Sequence, residues 1–379
     1  MKYNFDALKN FMDKRFEELG LPGIDCIIYQ DHKEIFRHQA GFSDIEEKTL
    51  IAPNTLYNIY SATKVIVCVA GMQLVEKGQM LLSDPLYKYL PEFEKMQVKY
   101  GTFVATPAKK HIKVRDLFMM TAGLSYDLDM PQVRKLREET NGDFNSRQFV
   151  RALAKEPLLF EPGEGWNYSY CHDVLGALIE VISDQSLEEY LQENIFKPLG
   201  MKDTHFFLPE EKKKRLAPQY QYDANSKSAI RITDDCLARA GSRHESGGGG
   251  LIMSLEDYIL FADALACGGI GKSGKKIISQ RSIDLMRANH LEGKAMEDYR
   301  RMVSAKGTGY GLGVSTVFNS AASFTLVPEG AFKWGGLAGA QNLIDPTNRL
   351  SVYVAQHLVF SPKKYHIEQM KNIIYAAIT

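Results

Sequence analysis

The sequence has no surplus of charge of either sign: Lys and Arg total 46, Asp and Glu total 46, and the formal net charge is +0. Nothing in that balance would hold a polyanion, so neither nucleic acid nor an anionic membrane surface is an expected partner. The same balance leaves little repulsion between copies, which keeps a homo-oligomer open. No uninterrupted apolar run approaches the ~18 residues of a spanning helix. The N-terminal stretch lacks the apolar core and cleavage site of a secretory signal, so none is expected there. Cysteine is sparse. The five present (Cys26, Cys68, Cys171, Cys236, Cys267) are widely spaced and form no C-x-x-C pair, which reads as free thiols in a cytoplasmic protein. There is no G-x-S-x-G elbow and no H-E-x-x-H, which disfavours an α/β-hydrolase and a zinc hydrolase. Ala266-Cys-Gly-Gly-Ile-Gly-Lys-Ser273 approaches a P-loop, but its first glycine is Ala266 and it follows a helical pattern instead of a strand.

What is present is an ordinary globular composition, 45% hydrophobic over 379 residues, enough for a large core and two packed lobes. Phe5, Leu8, Phe11, Met12, Phe16 and Leu19 recur at helical spacing. Residues 24–30 and 33–39 read as a hairpin turning at Asp31-His32. Residues 64–77 read as a buried helix closed by Gly78. Further helices are predicted at 146–155, 171–183, 187–196, 254–266 and 280–288. Strands are predicted at 308–317, 323–327, 331–336, 341–345 and 350–358, before a last helix over 362–378. Helices and strands are segregated along the chain, so the predicted class is α+β. Residues 1–60 with 300–379 would form an antiparallel sheet domain flanked by the terminal helices. Residues 61–299 would form an inserted, mostly helical lobe, with a ligand cleft between the two.

Three places carry candidate chemistry. Ser61-Ala-Thr-Lys64 fits S-x-x-K, as do Ser273-Gly-Lys-Lys276 and Ser361-Pro-Lys-Lys364. Context separates them: Ser273 lies in a polar turn, Ser361 reads as the N-cap of the last helix, and Ser61 opens an apolar helix. There the i, i+3 spacing puts serine and lysine on one face. A serine hydroxyl needs a neighbour to take its proton. A partly buried lysine has a lowered pKa and can serve, or can assist another base. The alternative is a capping serine beside a solvated lysine. Tyr168, in Tyr168-Ser169-Tyr170 after the Pro162-Gly163 turn, is either a core aromatic or a phenol presented to a cleft as a base. Trp334-Gly335-Gly336-Leu337 is either a bulge or a strand edge offering N–H groups to an acyl oxygen.

In this order the three elements resemble the serine β-lactamase-like and penicillin-binding-protein-like superfamily, the group of class C β-lactamases, D-peptidases and family VIII esterases. Supporting stretches are Asp84-Pro85-Leu86 through Pro91, Val114-Arg115-Asp116-Leu117 with Thr121-Ala122-Gly123-Leu124, Pro198-Leu199-Gly200-Met201, and Gly248-Gly249-Gly250-Leu251. The resemblance covers about residues 5–375. It implies Ser61 as the acylated nucleophile, Lys64 and Tyr168 as the general-base unit, and the N–H groups of Ser61 and Leu337 as the oxyanion hole, with no cofactor and no metal.

The pattern departs from the family in two places. Tyr170 replaces the asparagine of the frequent Tyr-x-Asn. The late motif offers two registers, Lys333-Trp334-Gly335 or Trp334-Gly335-Gly336; the second is preferred, and strand alternation then turns Lys333 away. A tryptophan in place of a cation favours an apolar substrate, so Tyr170, Trp334, Gly335 and Gly336 are expected to bind it. The expected activity is ester hydrolysis on a small-molecule acyl substrate. D-peptidase or amidase action, a weak β-lactamase, and a nonenzymatic penicillin-binding sensor or scaffold are the alternatives. His172 is expected to pack, and His244 has no assigned role.

Overall fold

The hairpin at Asp31-His32 is built from Gly23–Gln30 and Lys33–Asp44, and the turn is possible because both residues adopt positive φ, 52° and 65°, as a two-residue hairpin turn requires. A computed structural model describes residues 3–101, 104–127, 129–223, 225–226, 228–233, 236–303, 306–360 and 365–378 of the chain. The hairpin lies in an eight-stranded sheet drawn from both ends of the sequence. Its order is Thr308–Tyr310, Ser315–Val317, Phe332–Lys333, Gln341–Asp345, Leu350–Ala355, Gly23–Gln30, Lys33–Asp44 and Thr49–Leu50, with all neighbours antiparallel.

Alternation along Gly23–Gln30 feeds two cores. Cys26 and Ile28 face the helices Asp6–Leu19 and Tyr365–Ile378, among Leu8, Met12, Met370 and Ile374. Ile27 faces the opposite side, where Leu255–Ala266 covers the sheet and the ring of Tyr258 stacks on Tyr353 at 4.0 Å. Thr63–Glu76 is apolar on every side and buried from Thr63 to Leu74. Such a helix belongs inside a lobe. It packs on Cys171–Ser183, and Gly71 lets it approach Phe118 of Val114–Met119: a Cβ there would stand 2.7 Å from the Phe118 ring.

Several elements differ from the sequence reading. The stretch 308–317 is two strands around a turn, with Gly313 at φ 86°. Residues 323–327 form no strand: a short helix, Ser320–Ser323, ends on Phe324 at φ 51°. Leu350–Ala355 ends before Leu358–Val359, which pairs in parallel with Tyr220 and Gln221 in another sheet. Only Phe332–Lys333 of 331–336 pairs regularly, and Gly335 then bridges to Gln341. Strands at Leu56–Asn58, Thr204–His205, Gln219–Asp223, Ser228–Thr233 and Ile252–Ser254 also went unread. So did the helices Val114–Met119, Pro131–Thr140 and Gly293–Val303. Pro131–Thr140 buries only Val133, so it carries almost no apolar face to read. The cap assigned to Ser361 lies outside the described residues.

Among the described residues no helix is long and apolar enough to cross a membrane. All five cysteines are buried and outside any disulfide. Cys267 lies with His32 and Asp263 in a group that wide sequence spacing conceals. His32 Nδ1 is 2.7 Å from Asp263 Oδ2, tying the hairpin turn to the helix beneath it.

Candidate active site

Ser61 lies on a single 3-10 turn, Tyr60–Ala62, that runs straight into Thr63–Glu76. The residue before it, Tyr60, holds φ at 47°. A bulky residue pays strain in that region, and it persists only when its surroundings fix it. Here they do: the Tyr60 hydroxyl donates to Gln219, and its ring packs with Cys236, Ala338 and Val359.

Lys64 follows one turn later, completely buried. Its ammonium donates to Ser61 Oγ at 3.3 Å and to the Gly248 carbonyl at 2.5 Å. It also lies over the rings of Tyr168 and Tyr126, 4.6 and 5.2 Å from their centroids. Burial alone would push the Lys64 pKa down, the direction expected from the sequence. Its neighbours Tyr126, Tyr168 and Asp173 outweigh burial and hold the pKa above the ordinary lysine value. The shift is upward, which corrects the expectation of a lowered pKa and favours the ammonium form of Lys64.

Tyr168 comes from the loop before Cys171–Ser183. Its phenol oxygen is 2.5 Å from Ser61 Oγ. The three residues singled out from the motifs thus meet around one oxygen atom, 107 positions apart in the case of Tyr168 and Ser61.

The glycine strand faces them. Gly336 N–H donates to Ala340 O at 2.7 Å, and a Cβ on Gly336 would collide with the carbonyl of Ile59. Only glycine lets this strand press against the backbone immediately before Tyr60 and Ser61. That contact brings Leu337 to the wall of the cleft that holds Ser61, a cavity of about 630 Å³. Trp334, Gly335 and Gly336 line the same wall, and the Trp334 ring stands 5.7 Å from that of Tyr168. Trp334 and Phe332 face the lobe side. Lys333 does not leave the cleft, which corrects the expectation that alternation turns it away: it lines the far rim together with Glu368 of the final helix, which accepts from it at 3.0 Å.

Tyr170 is not in the cleft. It is 3% exposed, stacked behind Tyr126 at 4.6 Å and edge-on to Phe149 at 5.1 Å. Tyr170 directly precedes the first turn of Cys171–Ser183, which aims its ring at the lobe core. Tyr126 occupies the cleft wall in its place, 38% exposed. It follows the Thr121-Ala122-Gly123-Leu124 stretch directly, and that proximity was the available signal. His172 packs as expected, buried, with Nε2 3.3 Å from Phe118 O. Ser273 donates to Pro198 O in an exposed turn.

Fold and site together define a serine enzyme of the penicillin-binding-protein type. Residues 7–371 match the Beta-lactamase family, and the chain belongs to it. Protein Rv1367c of Mycobacterium tuberculosis is 30% identical over 351 residues, 89% of this chain and 86% of that one. Esterase EstB of Burkholderia gladioli is 28% identical over 363 residues, 92% and 89% of the two chains. Among solved structures, EstCE1, described as a hydrolase with promiscuous acyltransferase activity, superposes with a TM-score of 0.81 at 24% identity. That pair covers 97% of this chain and 98% of EstCE1, and the likeness shows the shared fold.

Proposed function

We propose that the chain is an esterase that works through an acyl-enzyme on Ser61. The observation that carries this reading is the 2.5 Å contact between Tyr168 and Ser61 Oγ beside a buried, cationic Lys64. The Tyr168 oxygen takes the Ser61 proton while Oγ attacks the ester carbonyl. The Lys64 ammonium offsets the charge that moves between the two oxygens. The N–H groups of Ser61 and Leu337 receive the oxyanion. Tyr168 returns the proton to the departing alcohol, and water repeats the sequence to release the acid.

The family also contains β-lactam and peptide chemistry. The lining favours esters: Tyr126, Trp166, Tyr168 and Trp334 give it aromatic walls, and Lys333 on its rim is already paired with Glu368. The name of EstB points the same way.

The test is labelling with a serine-directed alkylphosphonate followed by peptide mass spectrometry. One adduct is expected, on the peptide that holds Ser61, with ester hydrolysis lost in proportion. An adduct on Ser273 or any other serine would overturn the mechanism.

A further inference from the structure

Gly248 of the glycine run lies against Lys64, and His244 lies behind it beside Asp173. Gly248 gives its carbonyl to the Lys64 ammonium. A Cβ on Gly248 would collide with Asp173 Oδ2 and stand 3.4 Å from Lys64 Nζ. A Cβ on Gly247 would collide with the His172 carbonyl. The chain needs glycine here because it passes between a carboxylate and an ammonium.

That carboxylate is fully buried. Asp173 lies in the first turn of Cys171–Ser183, where the helix N-terminus favours a negative charge. Its Oδ1 accepts from Ser246 Oγ at 2.6 Å and lies 3.3 Å from His244 Nε2. His244 Nδ1 accepts from the Ala240 N–H at 3.1 Å, and its Nε2 makes no hydrogen bond among the described residues. Oδ2, on the Gly248 side, has no hydrogen-bond partner among the described residues.

A buried ammonium requires an opposite charge. The titratable groups facing Lys64 are Tyr126, Tyr168, Cys68, Cys171, His172 and Asp173. Burial keeps the Cys68 and Cys171 thiols protonated, with Cys171 at about 12. Tyr126 is pushed up to about 12, chiefly by burial, and His172 is held neutral by burial, down at about 3. Asp173 keeps its charge: burial opposes it, but the His244 contact, the Lys64 charge and the Ser246 bond lower its pKa.

We propose that Asp173, held by Ser246 with His244 beside it, is the counter-charge that keeps Lys64 an ammonium across Gly248, and so reserves the proton-accepting role for Tyr168. Asp173 touches neither substrate nor Ser61, so it is a positioning residue. The proposal rests on the reading of Lys64 and Tyr168 as a catalytic pair.

The test is the pH profile of kcat/KM for a neutral p-nitrophenyl ester in Asp173→Asn, alone and combined with Lys64→Ala. Loss of the anion disfavours the ammonium, so the alkaline limb of the profile should move to lower pH. The rate at neutral pH should fall roughly 10²-fold. In the Lys64→Ala background the same change should cost almost nothing, because the group it serves is gone. Asp173→Ser provides a second form of the test should the asparagine variant melt early. A wild-type alkaline limb in a folded Asp173 variant would overturn the proposal, as would a full additional loss on top of Lys64→Ala. If Lys64→Ala were itself as fast as wild type, the failure would lie with the catalytic pair and not with Asp173 alone.

Discussion

At the scale of single residues, the proton of Ser61 has two neighbours and one destination. Lys64 donates to Ser61 Oγ and to Gly248 O, and its raised pKa favours the ammonium, which has no lone pair to offer. Tyr168 is nearer, at 2.5 Å. Each of Lys64→Ala and Tyr168→Phe should therefore lower kcat by roughly 10²–10⁴-fold, the range for losing a general base or its support. The double variant should be scarcely slower than the worse single, since both act on one proton. Steady-state kinetics on a simple ester checks this. Near-full activity of Tyr168→Phe would make the tyrosine structural. These three residues were legible because each carries a motif with a mechanism attached. Asp173 and His244 were not, because a buried counter-charge has no spacing rule. It is recognised only when the chain is folded and the unpartnered Oδ2 is seen to face Gly248.

The elements that place the site were read unevenly, and the reason is local. Thr63–Glu76 is one long apolar run, Cys171–Ser183 and the Asp31-His32 hairpin carry apolar patterns, and all three have clear ends, so pattern and structure agree. The strand carrying Trp334 was read too long, because only Phe332–Lys333 pairs regularly and the glycines after it serve close approach instead of a ladder. That distinction has a kinetic consequence. A Cβ at Gly336 must displace the Ile59 carbonyl and, with it, the turn holding Tyr60 and Ser61. Gly336→Ala should then lower kcat roughly 10²-fold, at the low end of the cost of one lost oxyanion donor. KM for a small ester should change far less, because ground-state contacts along Trp334 remain. A change confined to KM would show that the strand shapes the cleft without contributing to the oxyanion hole.

At the scale of the whole molecule, the balanced net charge is repeated inside the cleft, where the charged lining residues are Lys333 and Glu368, bonded to each other at 3.0 Å. A substrate carboxylate entering this cleft would lose its water and meet no unpaired cation among the described lining residues. Burying such a charge unpaired costs several kcal/mol. A neutral ester escapes that cost, and its apolar part gains ~25 cal/mol per Å² covered by Trp334, Trp166 and Tyr126. Short- to medium-chain p-nitrophenyl esters should accordingly be hydrolysed far more efficiently than an acyl-D-Ala-D-Ala peptide or a chromogenic cephalosporin. The same reasoning fixes the effect of restoring a cation. Trp334→Lys puts an ammonium on the cleft side of the strand, away from Glu368, and should raise kcat/KM for the carboxylate-bearing substrates while leaving short esters unchanged or slower. Competition assays with the three substrate classes on both proteins measure this directly. An unmodified enzyme that cleaved the D-Ala-D-Ala peptide better than any simple ester would show that the aromatic wall does not set the substrate class, and that the Lys333–Glu368 pair opens to admit the carboxylate.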